Sequence, residues 1–149
     1  MYTGLTHFHS TFRYIILLLF LMSIVLAIAG LVGNKKFTGT HLKLAKFTVM
    51  SLHIQFLTGL ILYFFYSNKV FFSDMAVTMG DPLRRFFTVE HIFGMLIAIV
   101  IATIGNKKIK TAKEDSKKFK RMLIYFIISL IIIFASIPWP FLKNFGSWI

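Results

Sequence analysis

The sequence predicts an all-α integral membrane protein, an antiparallel four-helix bundle with both termini outside. Three observations predict it: an apolar excess, its segregation into four runs, and the sorting of positive charge between loops. Of 149 residues, 57% are hydrophobic and 15% charged, and mean hydropathy is +0.77. Average globular chains are about 45–50% apolar and about 25% charged. A soluble domain of this composition would expose apolar surface that water does not tolerate. Yet the formal net charge is +12, from 17 Lys and Arg against 5 Asp and Glu. Together these figures exclude water-soluble basic proteins of the histone or ribosomal kind. The chain has no cysteine, which excludes a disulfide scaffold, c-type haem attachment, thiolate zinc and iron–sulfur clusters.

The first apolar run, Tyr14 to Gly33, carries no charge; its length is the roughly 20 residues that cross a hydrocarbon core of about 30 Å. Here no basic residue precedes Arg13 and no A-x-A site follows, so this segment reads as a retained helix, not a cleaved signal peptide. The second run is Phe47 to Asn68, with His53 and Gln55 as its strongly polar members. Phe86 to Gly105 follows, interrupted by Glu90 and His91, and Met122 to Ile137 extends through Trp139 and Phe141. Helices are therefore expected over residues 10–33, 44–66, 82–105 and 121–138 of a single domain.

Boundary residues support these limits. Asp81-Pro82 reads as an N-cap followed by proline at the first helical position. Gly33-Asn34 and Gly105-Asn106 read as helix stops. Each is followed by Lys-Lys, either because two hairpins are related or because two helices end by one rule. Trp139 and Trp148 suit interfacial anchors. The stretch from Ser67 to Asp81, with Val70, Phe71 and Phe72, suits the membrane surface.

Charge then sets orientation. Between runs one and two lie Lys35, Lys36, Lys43 and Lys46. Runs three and four are separated by Lys107, Lys108, Lys110, Lys113, Lys117, Lys118, Lys120 and Arg121. Arg13, Lys69, Arg84, Arg85 and Lys143 fall on the other side. Positive-inside bias places the two lysine-rich loops in the cytoplasm. These runs read as topological signals beside anionic lipid, with no platform for nucleic acid.

Ionisable groups at membrane depth are costly and usually have a task. His53, Glu90 and His91 are such groups, with His7, His9 and Arg13 at the outer edge of the first helix. His41, beside lysines, reads as solvated. Below His91 on its helix come Gly94, Ala98, Ala102 and Gly105, within about 60° of the histidine's direction. Such a stripe either makes room for a flat ligand or lets helices approach closely. Haem is the flat ligand that needs an imidazole. Ser23, Ala27 and Gly30 share a face with His9, whereas His7 points about 200° away.

Helices one and three are diagonal in a four-helix bundle, where facing histidines can clamp a haem. Depth complicates the pairing. Counted from the Gly-Asn stops, His9 and His91 differ by about 15 Å, whereas His53 lies only about 5 Å from the His91 level. Face chemistry favours His9 with His91; depth favours His53 with His91. Glu90 is turned about 100° from His91. It suits an ion pair with Arg13, Arg84 or Arg85, or a proton relay or metal site with His91 and His53. Gln55, Gly59 and Tyr63 share one face of the second helix, which suits packing and hydrogen bonding better than a quinone site.

No G-x-x-x-x-G-K-[ST] or G-x-G-x-x-G pattern occurs. A transporter would show more spans or broken polar helices, and a channel a polar pore stripe.

His9 followed by Arg13, Gln55-x-x-x-Gly59, and His91 carry a resemblance. Across most of its length the chain resembles small bacterial four-span proteins called cytochrome b-like. More distantly it is similar to one four-helix half of haem A synthase. That resemblance implies haem ligation by outer histidines of alternate helices, here His9, or less well His7, and His91. Glu90-His91 loosely echoes the latter family's Glu-x-x-His-Arg motif. It also implies a bacterial inner (cytoplasmic) membrane. The expected function is a b-type haem protein passing electrons, with quinone or inside a larger redox complex or homo-oligomer. His91 is the first axial ligand, with His9 or His53 as its partner, and Gly94 and Ala98 against the haem. The rival classes are a cofactor-free accessory subunit and a small membrane enzyme using Glu90 and His91.

Overall fold

The computed structural model describes residues 2–66, 70 and 72–143. Every regular element among them is helical. The first long helix, α1, covers Tyr2–Val32. The second, α2, covers Gly39–Ile61 and widens into a π-turn over Leu62–Tyr66. Two short helices follow, α3 (Met75–Gly80) and α4 (Pro82–Arg85). A second π-turn, Phe86–Glu90, joins α4 directly to α5 (His91–Thr111). Last come α6 (Asp115–Ser136) and α7 (Pro140–Lys143). Among the described residues, four helices are long and apolar enough to cross a membrane: Thr3–Val32, Gly39–Phe65, Pro82–Thr111 and Asp115–Ser136.

Local chemistry sets several ends. Asp81 accepts a hydrogen bond from the Arg84 N–H at 2.8 Å, with Pro82 in the first helical position. Asp74 does the same for Val77 at 3.0 Å, which starts α3. At α2, the Nδ1 atom of His41 accepts from the Thr38 backbone N–H at 3.0 Å. That ring also packs on Phe119 at 5.0 Å. His41 is thus a helix cap leaning on the core, not a solvated loop residue.

The two Gly-Asn-Lys-Lys copies behave differently. After Val32, Asn34 adopts a left-handed φ of 47°, Lys35 N–H donates to the Gly30 carbonyl, and Asn34 N–H to that of Leu31. This is a Schellman stop with asparagine in the left-handed position. The stop expected at Gly105-Asn106 is absent: α5 runs on to Thr111. A Cβ at Gly105 would strike Tyr125, so glycine there serves close approach to α6 and not termination. Arg121 of α6 donates to the Lys108 carbonyl at 2.5 Å, holding the extra turn in place.

Each long helix packs on two others: α1 on α2 and α6, and α5 on α2 and α6. Hence α1 and α5 face each other across the space the four enclose. At the end carrying the α1–α2 and α5–α6 connections, here the lysine end, that space is full. Phe20, Phe119 and Phe126 are completely buried, and Phe20 meets Phe126 at 5.2 Å. The Phe119 ring occupies the place a Cβ would take on Gly30. Thr48 gives its hydroxyl hydrogen to the Leu44 carbonyl, so Ser23 donates to Thr48 at 3.2 Å. Leu18, Leu57, Phe93 and Ile131 point outward and are exposed. In water such faces would aggregate; in lipid they are the correct surface.

Trp139 departs from the anchor role. It is buried, and its indole N–H donates to the Phe134 carbonyl at 2.9 Å, closing the end of α6. Trp148, Phe71 and Ser67 lie outside the described residues.

Candidate functional site

At the other end, here the histidine end, the helices leave a cavity of about 200 Å³. His9 of α1 and His91 of α5 both line it, with Arg13, Gln55, Gly59 and Tyr63. Their rings stand 6.5 Å apart between centroids, at 73° to each other. The 15 Å depth difference expected from the sequence disappears because its ruler had a false zero. His9 lies 23 residues from the end of α1 at Val32, and His91 lies 20 from the end of α5 at Thr111. Three residues amount to only about 4.5 Å.

Both rings are held through Nδ1. His91 Nδ1 lies 2.7 Å from the Ser136 carbonyl oxygen, which can only accept, so Nδ1 carries the proton. His9 Nδ1 lies 3.3 Å from Thr58 Oγ1. Thr58 spends its hydrogen on the Gln55 carbonyl at 2.9 Å, so its oxygen accepts from His9. Each neutral ring therefore carries its lone pair on Nε2. This is the arrangement found behind metal-binding histidines, whose second nitrogen donates to a fixed acceptor.

The Gln55–Gly59–Tyr63 face of α2 builds the rest of the wall. Gln55 Nε2 donates to the His9 carbonyl at 2.8 Å. A Cβ on Gly59 would stand 3.0 Å from His9 Cε1, so glycine gives the imidazole its place. Tyr63 donates to the Thr88 carbonyl at 2.6 Å, tying the α2 π-turn to the one that precedes His91. Such π-turns recur at functional sites. Sequence reasoning assigned this face packing and hydrogen bonding, and Gln55 and Tyr63 do make such bonds, but it missed Thr58. The i, i+4, i+8 spacing of Gln55, Gly59 and Tyr63 was the available signal; what they pack on was not.

The other expected residues fall elsewhere. His53 is exposed, and its Nδ1 donates to Val49 one turn back at 2.8 Å. Its Nε2 stands 3.5 Å from Thr103 Oγ1, whose hydrogen goes to Ile99, so two acceptors merely touch. Glu90 is exposed and accepts from Arg85 Nε at 2.8 Å. The Glu90–His91–His53 metal grouping does not form: no three such ligands come together among the described residues. His7 is exposed, turned away from the pair.

Gly94 and Ala98 do not line the cavity. A Cβ on Gly94 would collide with the Ser136 hydroxyl, and Ala98 is completely buried. Of the two readings of this stripe, close helix approach is the one realised. Compared with protein families, curated proteins and solved structures, the chain matches none.

Proposed function

We propose that this chain is an antiparallel bundle of the bacterial cytoplasmic membrane, N-terminus outside, that binds one b-type haem between His9 and His91. It passes electrons, exchanging them with quinone inside a membrane redox complex. Contacts pairing His9 with Thr58, Ser23 with Thr48, and Gly94 with Ser136 support the alternating helix directions. Concentration of lysines at one end supports the orientation.

The observation that carries the haem reading is the pair of neighbouring imidazoles on α1 and α5, each anchored through Nδ1. His9 and His91, whose rings stand 6.5 Å apart, would hold the group through their Nε2 atoms. Donor chemistry therefore fits. The volume, about 200 Å³, is below the usual range of about 300–1,000 Å³. A macrocycle thus requires half-buried lining side chains such as Met95 and Phe87 to turn outward. When bound, the haem supplies a one-electron couple. Ser136 and Thr58 fix the ligand rings and make their nitrogens better donors. Arg13, on the cavity wall, brings positive charge suited to an anionic substituent.

A cofactor-free accessory subunit is the second reading, and one observation favours it: the small-residue stripe of α5 is already filled by α6. The reduced-minus-oxidised visible spectrum of purified protein separates the two. A Soret band with one iron per chain is expected. A folded preparation with neither refutes the haem.

A further inference from the structure

His53 and Thr103 belong to neither the cavity nor the packed core. They meet across α2 and α5 on the outer surface of the bundle, where both are exposed. His53 stands seven residues, about 10 Å, from Lys46 and twelve, about 18 Å, from the end of its span at Phe65. That depth is hydrocarbon, where a polar side chain needs a protein partner. Among the described residues, neither lone pair has a donor. His53 spends its hydrogen on the Val49 carbonyl, which leaves Nε2 a bare acceptor. Thr103 spends its own on Ile99 at 2.6 Å, and 3.5 Å to Nε2 is too long to satisfy it. What is missing is one hydrogen, offered from outside the bundle.

The surrounding face has the form of a helix seat. On α2, Leu57, Met50 and Lys46 share the direction of His53, at steps of four, three and four residues. Leu96, Val100 and Lys107 repeat those steps around Thr103 on α5, and all six are exposed. We propose that this face docks one transmembrane helix of a partner subunit, whose hydroxyl, amide or indole N–H donates to His53 Nε2. Carboxylates at the cytoplasmic end of that helix meet Lys46 and Lys107. This deepens the membrane complex of the reading above and rests on it, but not on the haem. A second copy of the chain cannot supply the hydrogen. Charge sorting inserts it the same way up, so a facing copy sets acceptors against acceptors and lysines against lysines. Its other outer faces at this depth are apolar: Leu18, Leu21 and Met22 on α1, and Ile124, Ile128 and Ile131 on α6.

The test uses the full chain in the membranes of its own cells, with a photoreactive benzoylphenylalanine in place of Leu57. A control carries it in place of Ile131, on the outer face of α6. After illumination, mass spectrometry identifies the peptide joined to the chain. The Leu57 probe should join an apolar segment of a different membrane protein, and the Ile131 probe should not. That segment should carry Ser, Thr, Asn, Gln, Tyr or Trp within two turns of the link, and Asp or Glu at its cytoplasmic end. His53→Leu should lower the yield about threefold to tenfold, the effect of one interhelical hydrogen bond. His53→Gln, which keeps an acceptor, should restore most of it. A link to a second copy, or to lipid alone, overturns the proposal. So does a yield that His53→Leu leaves unchanged. A joined segment without a donor also overturns it, and is read even if His53→Leu fails to fold. Native gels of the same membranes separate the two readings. Migration in a larger assembly without the Leu57 link refutes this face alone, whereas migration at the mass of one chain refutes the complex itself.

Discussion

The two ends of the bundle use the same kinds of residue to opposite effect. At the lysine end, glycines and small polar residues remove space. Gly30 receives the Phe119 ring, Gly105 receives Tyr125, and Ser23 closes on Thr48. At the histidine end, Gly59 leaves room for an imidazole, and two π-turns contribute Tyr63 and Phe87 to the lining of a cavity. A glycine stripe on a membrane helix therefore does not mark a ligand. What distinguishes the two ends is where the polar hydrogens go. At the lysine end they close on nearby backbone or on each other; at the histidine end they fix the two rings that line the cavity.

The contrast is tested most severely by the histidines. His91→Ala and His9→Ala should each abolish the b-type spectrum, whereas His53→Ala, on the outer face, should leave it intact. Loss of the spectrum in His91→Ala and His53→Ala but not in His9→Ala would transfer the site to the other pairing. Next come the packed glycines. Gly105→Ala should cost about 1–3 kcal/mol through collision with Tyr125, read from unfolding in mixed micelles. Gly4→Ala, with nothing within 4 Å, should be neutral or gain about 0.5–1 kcal/mol. Equal effects at Gly105 and Gly4 would deny the close packing of the lysine end.

Smaller effects separate backbone from side chain. Asn34→Ala should cost about 1–2 kcal/mol, because alanine tolerates a left-handed φ poorly, while Asn34→Gly should not. Removing the hydroxyl in Tyr63→Phe should cost about 0.5–1.5 kcal/mol and loosen the turn before His91. Faster amide exchange at residues 88–91, seen by mass spectrometry, checks this. Smallest is Glu90→Gln. Its ion pair with Arg85 is some two-fifths exposed on both sides, so the change should be below about 1 kcal/mol. A large loss of electron transfer in Glu90→Gln would instead restore a role in proton relay.

Composition and charge sorting alone determine four long apolar helices and a polarity along the bundle, because lipid accepts only segments that are long, uncharged and internally hydrogen-bonded. The Asp81-Pro82 start and the Asn34 stop were legible for a similar reason: both use backbone groups within a few residues. Pairing was not. Gly105-Asn106 has the same letters as Gly33-Asn34, yet Arg121 and Tyr125, reaching across from α6, carry α5 past it. That added turn is what brings His91 level with His9. Gln55 could be placed on a face from its spacing, but its split amide, one half on the His9 carbonyl and the other unpartnered, depends on which helix lies opposite. Helical periodicity sets direction around one axis; how far neighbouring axes slide, and so which side chains meet, is decided by packing between residues distant in sequence.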